Sequence, residues 1–321
     1  MTCTGNECAR LHHVYGCTIA SDLDLHLPEV DGSLNVEMTL HRSTDEVDID
    51  WAPDPADVLT VWRDEARQTG YIAARTPQGY RLRVDSVCDF DISGDLTTAT
   101  WNLIPGADQG LVSVLAANTL IAFRLIMAGH LVLHASAVRA RGRSVAFVGA
   151  SGMGKSTMAT LMCAGGATML TDDLARIDLE GALAMLSPGA VESRLRPAAA
   201  PLKDLFSVPG PMRITSDGRS AMSLPGWTNG PVPLDAVIIP FPSRDKAELT
   251  LTAVSPVHAL MLLGSFPRLP GWVDAEVITH QFHRLADLVE RVPVYVAVVP
   301  WGPPFRIETG TQLLERLGWD A

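Results

Sequence analysis

The stretch Gly149-Ala150-Ser151-Gly152-Met153-Gly154-Lys155-Ser156 constrains this chain more than any other, because it fits the pattern G-x-x-x-x-G-K-[ST]. Its surroundings fit too. Ser144-Val145-Ala146-Phe147-Val148 is a short apolar, β-prone run, as expected for a strand entering such a loop. Behind it Met158, Leu161 and Met162 recur at helical spacing until Gly165-Gly166 ends the run. A second strand, Ala167-Thr168-Met169-Leu170, leads into Thr171-Asp172-Asp173. Strand, glycine loop, helix, strand and acidic pair together predict a nucleotide-binding βαβ unit.

Each residue type in that order has a physical task. Glycines let successive backbone N–H groups curl around an anion, and the helix N-terminus adds its positive end. Lys155 is a mobile charge that reaches β- and γ-phosphates, with Gly149, Ser151, Gly152, Met153, Gly154 and Thr157 completing the cradle. Ser156 offers a hydroxyl ligand to Mg²⁺, a cation that favours oxygen. Asp172 and Asp173 fall at the carboxyl end of a strand, the edge where open α/β sheets bind ligands. Two adjacent carboxylates suggest divided labour, one for Mg²⁺ and one for a proton from an attacking hydroxyl. A solvated turn with a helix-capping aspartate is the plainer alternative.

Leu133-His134-Ala135-Ser136-Ala137, the 149–157 loop and Thr171-Asp172-Asp173, in that order and spacing, resemble the catalytic core of HPr kinase/phosphorylase. The similarity is greater to the HPr-kinase-related kinases found beside lasso-peptide and other modified-peptide genes. Its strong part covers about 50 residues, with weaker similarity through Arg194-Leu195-Arg196-Pro197 and the strand from Pro293 to Pro300. The resemblance implies an α/β fold with an HPr-kinase-like C-terminal domain of mixed sheet and flanking helices. It implies a serine kinase using ATP and Mg²⁺, with Asp172 as base and Asp173 assisting with metal beside Ser156. It also makes self-association into a homo-oligomer an expectation. Two departures separate the chain from the HPr enzymes: Thr157 stands where they usually carry an acidic residue, and their glycine/arginine-rich signature near the C-terminus is missing.

The rest of the chain sets bounds. At 321 residues it has room for one large or two ordinary domains, and 47% hydrophobic with 19% charged residues is a globular composition. A formal charge of −11 with no basic run argues against a nucleic-acid partner and is compatible with a basic peptide. Five cysteines do not make a disulfide framework, and the first residues lack the basic and apolar regions of a signal peptide, so a cytoplasmic setting is expected. Leu111–Leu133 is the most apolar stretch, but Asn118, Arg124, Gly129 and His130 interrupt it, which predicts a buried helix running into a strand and no membrane span. Cys3, Cys8, His12, His13 and Cys17 match no common zinc spacing; a frayed terminus before a first strand is expected.

Up to about Asp108 short strands and turns dominate: Val36–Leu40 and Tyr80–Val84 alternate, and Asp31-Gly32, Pro77-Gln78-Gly79 and Pro105-Gly106 punctuate. Residues 1–108 are therefore expected to form a smaller β-rich domain, structural or docking a peptide substrate. Residues 109–321 are expected to form the catalytic domain, opening with a helix over 111–127. His134 has two readings: a core histidine, or an imidazole near the loop that touches phosphate or tunes Asp172. Arg139-Ala140-Arg141-Gly142-Arg143 reads as a solvated hairpin tip or, less simply, a nucleotide contact. Arg194 and Arg196 open a loop-rich stretch to Pro233 and suit bidentate clamping of phosphate, or surface salt bridges. Together these residues point to a Mg²⁺- and ATP-dependent kinase of a serine or threonine hydroxyl on a peptide or small protein. Phosphorylation of a small molecule such as free serine, or a nucleotide-gated binding module without catalysis, are the alternatives.

Overall fold

The computed structural model describes residues 9–32, 34–64, 69–227, 229–246 and 248–319, so Cys3 and Cys8 lie outside the described residues. The chain divides into two compact units, Met1–Gly129 with Leu269–His280, and His130–Arg268 with Gln281–Ala321. Mixed α/β structure results. The helix expected to open the second domain groups with the first.

In the first unit, β1 (Arg10–Val14), β2 (Cys17–Ser21), β3 (Met38–Arg42), β4 (Val58–Asp64), β5 (Thr69–Thr76), β6 (Gly79–Val84), β7 (Cys88–Ser93) and β8 (Thr98–Leu103) form one sheet. Its order is β1-β2-β3-β8-β7-β6-β5-β4. The alternation in β6 explains its two faces. Leu82 and Val84 are buried, while Arg81 and Arg83 stand opposite Asp91 and Asp89 of β7 and bond to them at 2.6 and 2.7 Å. Opposite charges directly across a ladder are favourable pairs.

The apolar segment that follows is helical throughout: α1 (Gln109–Leu115), a π-helical turn (Ala116–Leu120) and α2 (Ile121–Met127). Among the described residues only Gln109–Met127 is long and apolar enough to cross a membrane, and most of it is buried in the structure. Arg124 sits inside this stretch because its guanidinium is satisfied, donating to Leu96 O at 2.9 Å and Glu37 O at 3.4 Å. His12, His13 and Cys17 also have other partners: Leu27 O, Thr18 Oγ1 and the Arg124 guanidinium. Among the described residues no cluster of three or more His, Cys, Asp or Glu could hold a metal.

The second unit runs β9 (Leu131–Leu133), β10 (Ala135–Ala140), β11 (Arg143–Val148), α3 (Lys155–Ala164), β12 (Thr168–Thr171), β13 (Ala175–Asp178), β14 (Met185–Ser187) and β15 (Glu192–Leu195). A 3-10 segment (Pro197–Leu205), β16 (Met212–Ile214), β17 (Ser220–Ser223), β18 (Val232–Pro233), β19 (Ala236–Ser243) and β20 (Thr250–Val254) follow. Then come α4 (Pro256–Gly264), α5 (Ala275–Arg291, of which the residues up to His280 group with the first unit), β21 (Val294–Pro300) and α6 (Glu308–Arg316). The main sheet is ordered β12-β10-β11-β19-β21-β20, with β11, β19 and β21 parallel.

Period-two alternation splits each central strand between two cores. Val138, Val145, Phe147, Ile238 and Val299 pack with Met158 and Met162 of α3 and Leu313 of α6. Their neighbours Ala137, Ala146, Val148, Val237 and Ile239 pack with Leu263 of α4 and Leu285 and Leu288 of α5. Both faces are covered, so these strands are nearly continuous apolar runs. Two small sheets flank the frame, β18-β14-β13-β9 and β15-β17-β16. The Arg-rich hairpin tip between β10 and β11 is not simply solvated: Arg139 lies over Trp227, Arg143 over Trp319, and Arg141 donates to Trp319 O.

Candidate active site

β11 delivers the chain into the glycine loop at Val148, and α3 begins at Lys155. Gly152 and Gly154 adopt φ of +93° and +90°, the left-handed region that side chains with a Cβ rarely enter. Gly154 is also the residue at the helix N-cap position, so its turn aims the first N–H groups of α3 at the loop. Met153 turns its thioether back, with Sδ accepting from Ala150 N at 3.1 Å. Ser151, Gly152, Gly154, Lys155, Ser156 and Thr157 line a cavity, whereas Gly149 and Met153 do not. Lys155 is buried and donates to Ala150 O at 3.1 Å. Burial pushes its ammonium down to about 8, against the pull of Asp173 and Asp172.

The acidic pair follows the last residue of β12, next to β10 in the sheet. Asp172 points inward and is 2% exposed. Its Oδ1 accepts from Ser156 Oγ at 2.8 Å and from Ser136 Oγ of β10 at 2.5 Å; Oδ2 accepts from Arg194 N at 3.3 Å. Asp173 has φ +70°, an uncommon conformation for a non-glycine residue that swings its carboxylate away from that of Asp172. It lines the cavity and meets His134 Nε2 at 3.2 Å, Arg194 Nη2 at 2.8 Å and Arg268 Nη2 at 3.1 Å. Burial opposes its charge, but Arg268, the His134 ring and Arg194 outweigh that and hold the carboxyl well below its ordinary range.

His134 occupies the break between β9 and β10, not the middle of one strand. Burial pushes its imidazole below the ordinary value, and the hydrogen bond to Asp173 only partly compensates. Arg194, one residue before the end of β15, lines the same cavity, and its Nη1 lies 3.7 Å from Asp217 Oδ2. Arg219 completes this edge at 3.3 Å from the same oxygen; burial and the nearby Arg194 lower its pKa. Arg196, between β15 and the 3-10 segment, donates to Ser151 Oγ at 2.9 Å and so ties that junction to the glycine loop.

Most of the residues singled out from the sequence line one cavity; Gly149, Met153 and Asp172 do not, and one pairing differs. The Ser156 hydroxyl meets Asp172, whereas the resemblance assigned the partner role to Asp173. Consecutive residues at a strand end face opposite ways, and the left-handed turn at Asp173 completes the separation. Several participants carry no assigned role in the sequence, Ser136, Arg219 and Arg268 among them. Ser136 had a signal, since alternation along Leu133–Ala137 puts it on the same side as His134. Arg268 had none. It is 95 residues from Asp173 in sequence, and its Nε is buried without a partner among the described residues.

No family model matches this chain, and no curated relative matches it. Among solved structures, the Hpr(Ser) kinase/phosphatase from Coxiella burnetii aligns over 59% of this chain and 99% of that one, at 9% identity and a TM-score of 0.29. Similarity at that level assigns neither family nor activity.

Proposed function

We propose that this chain is a Mg²⁺- and ATP-dependent phosphotransferase acting on a serine or threonine hydroxyl of a peptide or small protein, such as a ribosomal peptide precursor. The observation that carries this is the 2.8 Å contact between Ser156 and Asp172 beneath a glycine loop whose lysine lies in the same cavity. Loop glycines, the α3 N-terminus and Lys155 supply the charge and N–H groups that a triphosphate needs. Arg194, Arg196 and Arg219 add guanidinium forks suited to phosphoryl oxygens.

Ser156 Oγ and Asp172 Oδ1 fit a magnesium site: two hard oxygens, one anionic, leaving positions for phosphate oxygens and water. The ion would offset negative charge on the transferring phosphoryl group. Asp173 lines the cavity and Asp172 does not, so we assign Asp173 to the acceptor hydroxyl, which it would orient as a hydrogen-bond acceptor. This reverses the division that the family resemblance implies. Arg194 and Arg268 keep Asp173 ionised, and His134 fixes its Oδ1 side.

Intact-mass analysis tests the proposal: host peptides and small proteins are incubated with the chain, Mg²⁺ and ATP, with Asp172→Asn as control. One added phosphate, absent with the variant, is the expected result. ADP formed without any peptide shift would redirect the proposal to a small-molecule acceptor. ATP binding with neither signal would leave a nucleotide-gated binding module.

A further inference from the structure

The cavity that holds Lys155 and Asp173 also has an aromatic wall, which phosphate chemistry does not require. Trp301 and Phe305 both line it, with ring centroids 5.7 Å apart and planes at 88°. Trp301 is anchored just past β21 by a backbone bond from its N–H to Ser243 O at 2.9 Å. Its ring closes on the glycine loop itself: a Cβ on Gly154 would come within 2.6 Å of Trp301 Cη2. Leu195, Ala198 and Ala199 add apolar lining from β15 and the 3-10 segment. The two aromatic rings pack against the core formed with α3 yet remain only partly buried. One cavity thus joins a cationic cradle to a part-open aromatic surface.

We propose that Trp301 and Phe305 form the nucleobase subsite of this cavity, receiving a purine by stacking and apolar contact. This rests on the nucleotide-binding proposal and extends it to the half of the ligand that the glycine loop does not touch. Every base presents a π-face, so an aromatic platform contributes affinity without hydrogen-bond readout. A purine covers more of such a platform than a pyrimidine. ATP and GTP should therefore bind alike, and CTP more weakly.

Titration calorimetry of the full chain with Mg²⁺ and ATP, CTP or inorganic tripolyphosphate separates the base from the phosphates. Trp301→Leu should weaken ATP about tenfold and leave tripolyphosphate within about twofold, the size of one lost stacking contact. Because Trp301 packs on Gly154, that variant could fail to fold; Phe305→Leu then carries the test, with a smaller loss of about threefold confined to nucleotides. Equal losses for ATP and tripolyphosphate, or no loss for ATP in a folded variant, would overturn the subsite. Equal wild-type affinity for ATP and CTP would overturn the purine preference. A wild-type chain that binds none of the three ligands would instead remove the nucleotide proposal itself.

Discussion

Ser156 Oγ and Asp172 Oδ1 lie 2.8 Å apart, joining the first turn of α3 to the end of β12. Ser136 Oγ donates to the same oxygen, so Asp172 is a buried carboxylate whose place is set by two hydroxyls from two other elements. Replacing it with Asn keeps the shape but removes the anion. Asp172→Asn should lower phosphate transfer by at least about 100-fold, the scale of a lost electrostatic contributor, while metal-free nucleotide binding changes little. ADP release with an active acceptor and calorimetry without metal check the two halves. Undiminished transfer would remove Asp172 from the mechanism.

Asp173 is balanced by Arg194, Arg268 and His134, and that balance fixes a pH dependence. A carboxyl held below its unfolded value contributes stability that is fully present above the unfolded pKa, about 4. The contribution is lost as pH falls through the folded value, because the unfolded chain takes up the proton first. Asp173→Asn should destabilise the chain at pH 7 by about 3–5 kcal/mol, since the mostly buried Arg268 loses its carboxylate partner and Arg194 keeps only Asp217, 3.7 Å away. The gap from wild type should narrow below pH 4, by up to about 1.4 kcal/mol per pH unit. Urea unfolding at pH 7 and pH 3 measures it. A gap independent of pH would mean that the charge of Asp173 is not what holds this cluster.

Local patterns in the chain disclosed the frame of the site, and long-range partners stayed hidden. The parallel core strands were legible because Val145–Val148 and Ala236–Ile239 are apolar runs, and β6 because its residues alternate. Apolar periodicity alone starts the helix Ala275–Arg291 near His280, since the periodic apolar residues become dense only from Phe282 onward. Arg194 and Arg196 suit a phosphate clamp or salt bridges by residue type alone, and nothing local names their partners here, Asp173 and Ser151. Nothing in the order of residues tells that Arg268, in the loop after α4, meets Asp173. Nor does Thr171-Asp172-Asp173 state which carboxylate turns inward; that depends on a single backbone conformation at Asp173.

Lys155 gives a proton-linked prediction. Burial holds its ammonium near 8 in the unliganded chain, so it is partly neutral at pH 8.5. A bound phosphate raises that value, because the anion favours the charged form. ATP binding at pH 8.5 should therefore take up a fraction of a proton through Lys155, a contribution that vanishes at pH 6.5, where Lys155 is already charged. Calorimetry in buffers of different ionisation enthalpy measures the uptake, which Lys155→Met should abolish. No uptake at pH 8.5 in wild type would show that Lys155 does not meet the phosphates.

Gly154 is the point where backbone freedom and packing coincide. It turns with φ +90° into the first residue of α3, and its Cα faces the edge of Trp301. Gly154→Ala meets two costs: a left-handed conformation that disfavours any Cβ, and a ring 2.6 Å from where that Cβ would stand. The ring can retreat only by giving up its place against Phe305 and the core. The variant should lose about 1–3 kcal/mol of stability, the range for a strained backbone position. It should also bind tripolyphosphate at least about tenfold more weakly, because a loop that relaxes out of this turn no longer aims its N–H groups at one anion. Thermal unfolding and tripolyphosphate titration, each on wild type and variant, give both numbers. A stable variant with unchanged affinity would show that the turn at Gly154 does not shape the anion cradle.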